Sequence, residues 1–397
     1  MKYKLVQGTQ DFLPKQLKEK IFVQERIMNM FAGFGYDAVL TPLIEHHEVF
    51  TEGEGVEPLD QLFKLSDTDG SLLVLRSDMT TPLSRIVSTK LPADFPLRLC
   101  YLANSYKLKA ERNRLREFTQ AGVELFGISA PFADAEVIAL AIDALTASGL
   151  RNFQIDIGEV GILKGVLDST PLGEAQKAKV FSFIDKKNFI DKNVFSLLDA
   201  QTRSLINDLT NMFGDSQMLD CAESILTNEK SLQALANLRQ VYKILQAMGY
   251  GQYISFDLGI VNTYTYYTGI VFKGITRFLG TPILSGGRYD TLTRSFDKDI
   301  PATGFAIGID NLCIALSREG SIGNADNNKN IIAIGMQNTP SAYTAYRKVC
   351  KQLTEAGNIV DYSYTADIAA LREYADSKGI SEIIFIDAQG MLAKEKR

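Results

Sequence analysis

The stretch Asp257 to Thr276, DLGIVNTYTYYTGIVFKGIT, decides how this chain reads. From Tyr264 to Phe272 it is rich in aromatic and β-branched residues, the types that fit a pleated, half-buried surface. The run predicts a buried strand, a turn tolerated by Gly269, and a second strand. Two adjacent tyrosines, Tyr266 and Tyr267, give it the character of a pocket wall, with apolar rings and hydroxyls that can meet a ligand. A plain packing role for each ring is the competing account, because aromatics in strands are more often core than ligand.

Downstream, Leu284-Ser-Gly-Gly-Arg-Tyr-Asp290 is followed by Pro301-Ala-Thr-Gly-Phe-Ala-Ile-Gly308, where glycines allow close approach of strand and helix backbones. Upstream, Pro96–Tyr106 and Glu117–Gly127 are apolar runs around a basic stretch, Lys107 to Arg116, so strand, loop and strand are expected. Lys107, Lys109, Arg112, Arg114 and Arg116 would suit phosphate, or would simply face water. Alternation along the second strand puts Gln120, Gly122 and Glu124 on one face. A shorter strand, Leu72 to Arg76, leads into Ser77-Asp78-Met79-Thr80-Thr81-Pro82, where Asp78 can serve a ligand or cap a helix.

Before these, Leu17, Ile21, Ile27, Met28 and Phe31 predict a helix from Lys15 to Gly33, and Tyr36–Pro42 predicts a strand closed by its proline. Asp134 to Gly149 reads as a helix with an acidic first turn and a glycine stop. Residues 165–248 read as helical, with no evident chemistry. The polar, Gly/Asn-rich segment 320–329 reads as a linker. Beyond it, 331–335, 341–356, 359–364, 367–378 and 383–386 alternate as strand, helix, strand, helix and strand.

With 397 residues, 46% apolar and 22% charged, the chain has the composition of a soluble protein of two or three domains. A net charge of -5 argues against a broad nucleic-acid-binding face. Cys100, Cys221, Cys313 and Cys350 show no paired spacing, and the only histidines are His46 and His47, so neither a metal site nor a disulfide framework is expected. The N-terminal sequence lacks a signal-like apolar core and no run approaches a membrane span, which points to the cytoplasm.

The opening stretch is similar to the histidine-binding segment of histidyl-tRNA synthetases, Leu-Val-Arg-Gly-Leu-Asp-Tyr-Tyr-Thr-Gly-x-Val-Phe-Glu. Tyr266, Tyr267, Thr268, Gly269, Val271 and Phe272 match it, and Asn262 stands at the arginine. The N-terminal helix, the strand ending Thr41-Pro42 and Glu45–Phe50 resemble motif 1 of class II aminoacyl-tRNA synthetases, which implies a homodimer through Lys15–Pro42. Residues 96–127 resemble motif 2, whose loop lies over ATP and the tRNA acceptor end. Residues 284–290 and 301–312 resemble the second half of that core and motif 3. The resemblance implies histidine contacts at Asp78, Thr80, Gln120, Glu124, Tyr266 and Tyr267. It also implies an α+β fold, a class II synthetase-like antiparallel sheet flanked by helices. The core would span 1–319 with the insertion at 165–248, joined by the 320–329 linker to a small α/β domain, 330–397, that resembles a truncated anticodon-binding domain.

Class II activation grips ATP phosphates with arginines, whose guanidinium fork stays charged and binds oxyanions bidentately. Aligned without gaps, the three arginine positions hold Tyr106, Asn262 and Asn311, and a one-residue shift would put Lys107 at the first. A core that keeps the amino-acid side and loses the phosphate side resembles the regulatory subunits of ATP phosphoribosyltransferase, the enzyme of the first step of histidine biosynthesis. The Arg76-x-Asp78-Met79-Thr80 form also fits those subunits better. That likeness implies no catalytic residues and no cofactor, histidine as ligand, and a hetero-oligomer with a short-form catalytic subunit that needs this chain for activity and feedback inhibition. A divergent active histidyl-tRNA synthetase is the alternative. A tRNA-sensing module is opposed by the acidic balance.

Overall fold

In the computed structural model, which describes residues 4–53, 56–92, 94–108, 115–185, 197–260, 266–322 and 330–396, the chain divides into two units, Met1–Gly323 and Asn324–Arg397. In chain order the strands of the first are β1 (Asp37–Ala38), β2 (Ile44–His46), β3 (Lys64–Ser66), β4 (Leu72–Leu75), β5 (Leu97–Tyr106), β6 (Glu117–Phe126), β7 (Gln154–Glu159), β8 (Phe213–Gly214), β9 (Ile254–Asp257), β10 (Ile270–Ile275), β11 (Leu284–Arg288) and β12 (Ala302–Gly308). Nine of them form one sheet among the described residues, ordered β1-β5-β6-β12-β11-β10-β7-β9-β8. Every pair from β5 to β7 is antiparallel, and parallel pairing occurs only at β1/β5 and β7/β9. Strands β2, β4 and β3 make a small separate antiparallel sheet.

One face of the large sheet is packed by helices. The Pro14–Gly33 helix buries Val23, Ile27 and Phe31 at near-helical spacing. Phe31 meets Phe305 of β12 edge-on, with ring centres 5.9 Å apart. The Pro131–Ser148 helix is apolar nearly all round, as expected of an element enclosed between a sheet and further helices. It stops at Gly149, whose φ of 101° is a left-handed cap that glycine adopts without a steric penalty. Helices Val160–Asp168, Glu174–Asp185, Ala200–Thr210, Gln217–Ile225 and Glu229–Ala247 occupy the region expected to be helical; residues 186–196 of it lie outside the described residues. The opposite face of the sheet carries a second apolar cluster that includes Met79, Leu83, Leu99, Tyr101, Tyr266 and Tyr289. No helix among the described residues is long and apolar enough to cross a membrane.

The second unit orders its strands β14-β13-β15-β16, from β13 (Ile331–Met336), β14 (Ile359–Tyr362), β15 (Glu382–Ile386) and β16 (Leu392–Lys396). The first three are parallel, with helices Pro340–Glu355 and Ile368–Lys378 between them.

Three local expectations change. The Tyr36–Pro42 strand contracts to two residues, because the guanidinium of Arg76 takes the carbonyls of Thr41, at 2.7 Å, and Pro42, at 3.3 Å. Tyr266 and Tyr267 stand in the turn before β10 rather than on a strand. The last stretch forms β16, antiparallel to β15, where no strand was expected. Of the expected linker, Gly320, Ser321 and Ile322 still belong to the first unit, and 323–329 lie outside the described residues.

Candidate ligand-binding site

A pocket with about 390 Å³ of empty space, part of it open to solvent, sits on the face of the sheet away from the long helices. Asp78, Thr80, Gln120, Glu124, Tyr266 and Tyr267 all line it, although they come from three separate parts of the sequence. Strand geometry explains the convergence. Gln120, Gly122 and Glu124 share one face of β6, and Glu124 lies opposite Gly304 of β12. A Cβ at 304 would stand 1.8 Å from Glu124 Oε2, so only glycine leaves room for this carboxylate. At Gly287, likewise, a Cβ would come within 2.8 Å of the Tyr267 ring.

Glu124 is almost wholly buried and accepts two hydroxyls, Thr80 Oγ1 at 2.8 Å and the Tyr289 hydroxyl in a short contact. Burial pushes its carboxyl up to about 8; the bonds from Tyr289 and Thr80 pull it down, and the nearby Asp78 pushes it further up. Asp78 takes the helix-capping role as well as a place in the lining. Its Oδ1 accepts the Thr81 N–H at 2.8 Å, in the first turn of the Thr80–Thr89 helix. Its carboxyl rises to about 6, first through burial and then through Glu57, with the Thr81 bonds and Lys107 opposing. Ser105 Oγ donates to Gln120 Oε1 at 2.9 Å and fixes that amide. The Tyr266 ring stands 4.9 Å from Tyr267 and 5.9 Å, edge-on, from Tyr289.

Seven lining residues escaped sequence reasoning: Met79, Gly304, Phe305, Ala306 and, with hydroxyls, Tyr101, Ser285 and Tyr289. The available signal was alternation in Gly286-Gly-Arg-Tyr289, which sends Arg288 and Tyr289 to opposite faces. Arg288 donates from Nε and Nη2 to Asp134 at 2.9 to 3.1 Å, a buried ion pair. Tyr289 turns into the pocket. Tyr101 lies over Gly122, with its hydroxyl near Thr80 and its burial raising that hydroxyl well above the usual phenol range.

Two of the three positions expected to have lost arginines, Tyr106 and Asn311, fall outside the pocket lining. Tyr106 pairs with Glu117, on the face shared by Asn104 and Thr119 and opposite to Ser105 and Gln120, and its hydroxyl donates to Glu117 Oε1 at 3.0 Å. The neighbouring cation, Lys107, is the one whose charge reaches Asp78. Asn311 lies in the first turn of the Ile309–Glu319 helix and is not part of the lining. Asn262 lies outside the described residues, as do Lys109, Arg112 and Arg114 of the basic loop. Beside Asn311, Asp310 accepts Lys20 Nζ at 2.7 Å and the Thr119 N–H at 2.8 Å. Arg76, Arg288 and Lys20 are thus each held by protein acceptors, and among the described residues no arginine lines the pocket. The lining offers carboxyls, hydroxyls and an amide, a set suited to a small polar ligand bearing a cation.

Comparison with known proteins agrees with this architecture. Residues 8–312 match the family model described as histidyl-tRNA synthetase. An ATP phosphoribosyltransferase regulatory subunit from Acetivibrio thermocellus is 39% identical over 386 residues, covering 95% of this chain and 91% of that protein. A solved structure from Bacillus halodurans, described as an ATP phosphoribosyltransferase regulatory subunit/histidyl-tRNA synthetase, superposes with a TM-score of 0.83 at 33% identity, covering 97% and 98% of the two chains. The histidyl-tRNA synthetase of a Nostoc species shares the fold, with a TM-score of 0.78 at 22% identity over 99% and 97%.

Proposed function

The chain belongs to the family of ATP phosphoribosyltransferase regulatory subunits, built on a histidyl-tRNA synthetase-like core, and from that premise we propose that it binds free histidine in the β6–β12 pocket and makes a short catalytic subunit sensitive to it. The observation that carries this reading is the convergence of Asp78, Thr80, Gln120, Glu124, Tyr266 and Tyr267 on one cavity, with no arginine in its lining among the described residues. Asp78 and Glu124 receive the ligand's ammonium, while Gln120 and the tyrosine hydroxyls orient the rest of it. Among the described residues the lining supplies no phosphate-gripping guanidinium fork, which favours holding an amino acid over adenylating it. In this reading the subunit works in the cytoplasm as a homodimer through Lys15–Pro42 within a hetero-oligomer, without a cofactor, and tRNA is not its partner.

Ligand occupancy matters only if it biases a second component, and that coupling is reciprocal. The test is to mix purified chain with a short-form ATP phosphoribosyltransferase and assay the transferase with and without histidine, using wild type and Glu124→Ala. Wild type should raise activity and confer inhibition, while Glu124→Ala should lose the inhibition. A transferase equally active and equally histidine-sensitive without this chain rules the reading out.

A further inference from the structure

Beyond the pocket lining, Glu57 presents a carboxylate that the fold does not explain. It is 7% exposed, and neither oxygen accepts a hydrogen bond. Its backbone N–H donates to the Phe50 carbonyl, a bond that any side chain at this position would leave intact. A buried carboxylate without hydrogen bonds is unfavourable unless a nearby charge compensates it. That charge is Lys107, whose Nζ stands 3.6 Å from Glu57 Oε1.

Lys107 reaches this place because β5 ends against the turn that carries Asp78: the Tyr106 N–H donates to the Arg76 carbonyl at 3.0 Å, two residues before Asp78. The Lys107 ammonium therefore stands against the Glu57 carboxylate, and its charge also acts on Asp78. Both of their charges act on the Asp78 carboxyl, Glu57 raising its proton affinity and Lys107 lowering it. Asp78 lines the pocket and Glu57 does not.

We infer that Glu57 is a positioning residue: it holds the Lys107 ammonium off Asp78, so that Asp78 stays available to the ammonium of an amino-acid ligand. Two carboxylates against one lysine leave a net negative charge at the ammonium subsite. Without Glu57, Lys107 pairs with Asp78 and competes with the ligand. The arrangement selects amino acids over analogues that lack the amine, and it deepens the histidine reading, on which it rests.

The test is calorimetric titration of histidine, and of imidazole-4-propionate, which lacks the α-amino group, into wild type, Glu57→Gln, Lys107→Met and the double variant. Glu57→Gln should weaken histidine about tenfold and leave the des-amino analogue within about twofold. Adding Lys107→Met should restore histidine to within about threefold of wild type, the non-additivity expected of coupled charges. Equal losses for both ligands, or no loss for histidine, overturn the inference. If Glu57→Gln does not fold, Lys107→Met alone decides: histidine affinity should hold or rise, and a loss of about tenfold means that Lys107 itself grips the ligand. Wild type that binds no histidine overturns the functional reading and takes this inference with it, whereas normal wild-type binding with no effect of Glu57→Gln overturns only the inference.

Discussion

At the scale of the residue, Glu124 makes the pocket responsive to pH. Its carboxyl, about 8 against an ordinary 4.5, carries a proton in the empty pocket at neutral pH. A folded value above the unfolded one means that this group's contribution to stability is fully present below 4.5 and is lost as pH rises through about 8. A cationic ligand favours the ionised form and should therefore release a proton on binding. The thermal shift given by a fixed concentration of histidine should grow between about pH 6 and 8, the window bounded by Asp78 and Glu124. Glu124→Gln should flatten that rise, and an unchanged slope in this variant would show that Glu124 is not the titrating group. Glu124→Ala should lower histidine affinity roughly tenfold or more, the scale of a charge-assisted hydrogen bond of about 1.5–3 kcal/mol. Calorimetry giving wild-type affinity would exclude this placement of the ligand.

At the scale of the element, the site depends on strand register. In Gly304→Ala the new methyl would stand 1.8 Å from Glu124 Oε2, so the carboxylate must leave its hydroxyl donors. Histidine binding should be lost in a protein whose circular dichroism stays native, and retained binding would mean that β12 can shift away from β6. The Lys20–Asp310 ion pair joins the Pro14–Gly33 helix to the Ile309–Glu319 helix and is buried on both sides. Lys20→Met should cost about 3–5 kcal/mol in denaturant unfolding, since it strands Asp310 without its partner charge. The β5–β6 hairpin was legible in the sequence almost to the residue, because two long apolar runs, buried on both faces of the sheet, flank the basic stretch between them. Tyr101, Ser285 and Tyr289 were not legible as lining, because their places depend on which strands pair, and β5, β6, β12 and β11 are brought together by long-range pairing. Strand β16 was hidden for another reason. Leu-Ala-Lys-Glu-Lys has no buried face to write a pattern, and its charges suit the edge it occupies.

At the scale of the whole molecule, Leu13, Phe34, Leu40 and Ile44 leave apolar surface exposed in and around the segment that resembles motif 1, with Leu40 73% exposed. Scattered exposed apolar residues are ordinary, and their concentration along this segment motivates the proposed homodimer contact. Sedimentation at micromolar concentration should give a dimer, and Leu40→Asp should shift it towards monomer; a wild-type monomer with an intact fold would refute the interface. Histidine-dependent exchange of pyrophosphate with ATP should stay at background, and turnover comparable to an active synthetase would return the chain to the catalytic branch of its fold. The closed circuit from Thr80 through Glu124 to Tyr289 bears on how such a molecule would sense. Its carboxyl group already takes both hydroxyls without a ligand, so an arriving amine displaces a proton and exchanges bonds instead of adding them. A receptor built this way meters instead of hoarding: its threshold is set by the difference between two bonded states, and small changes in either hydroxyl retune it.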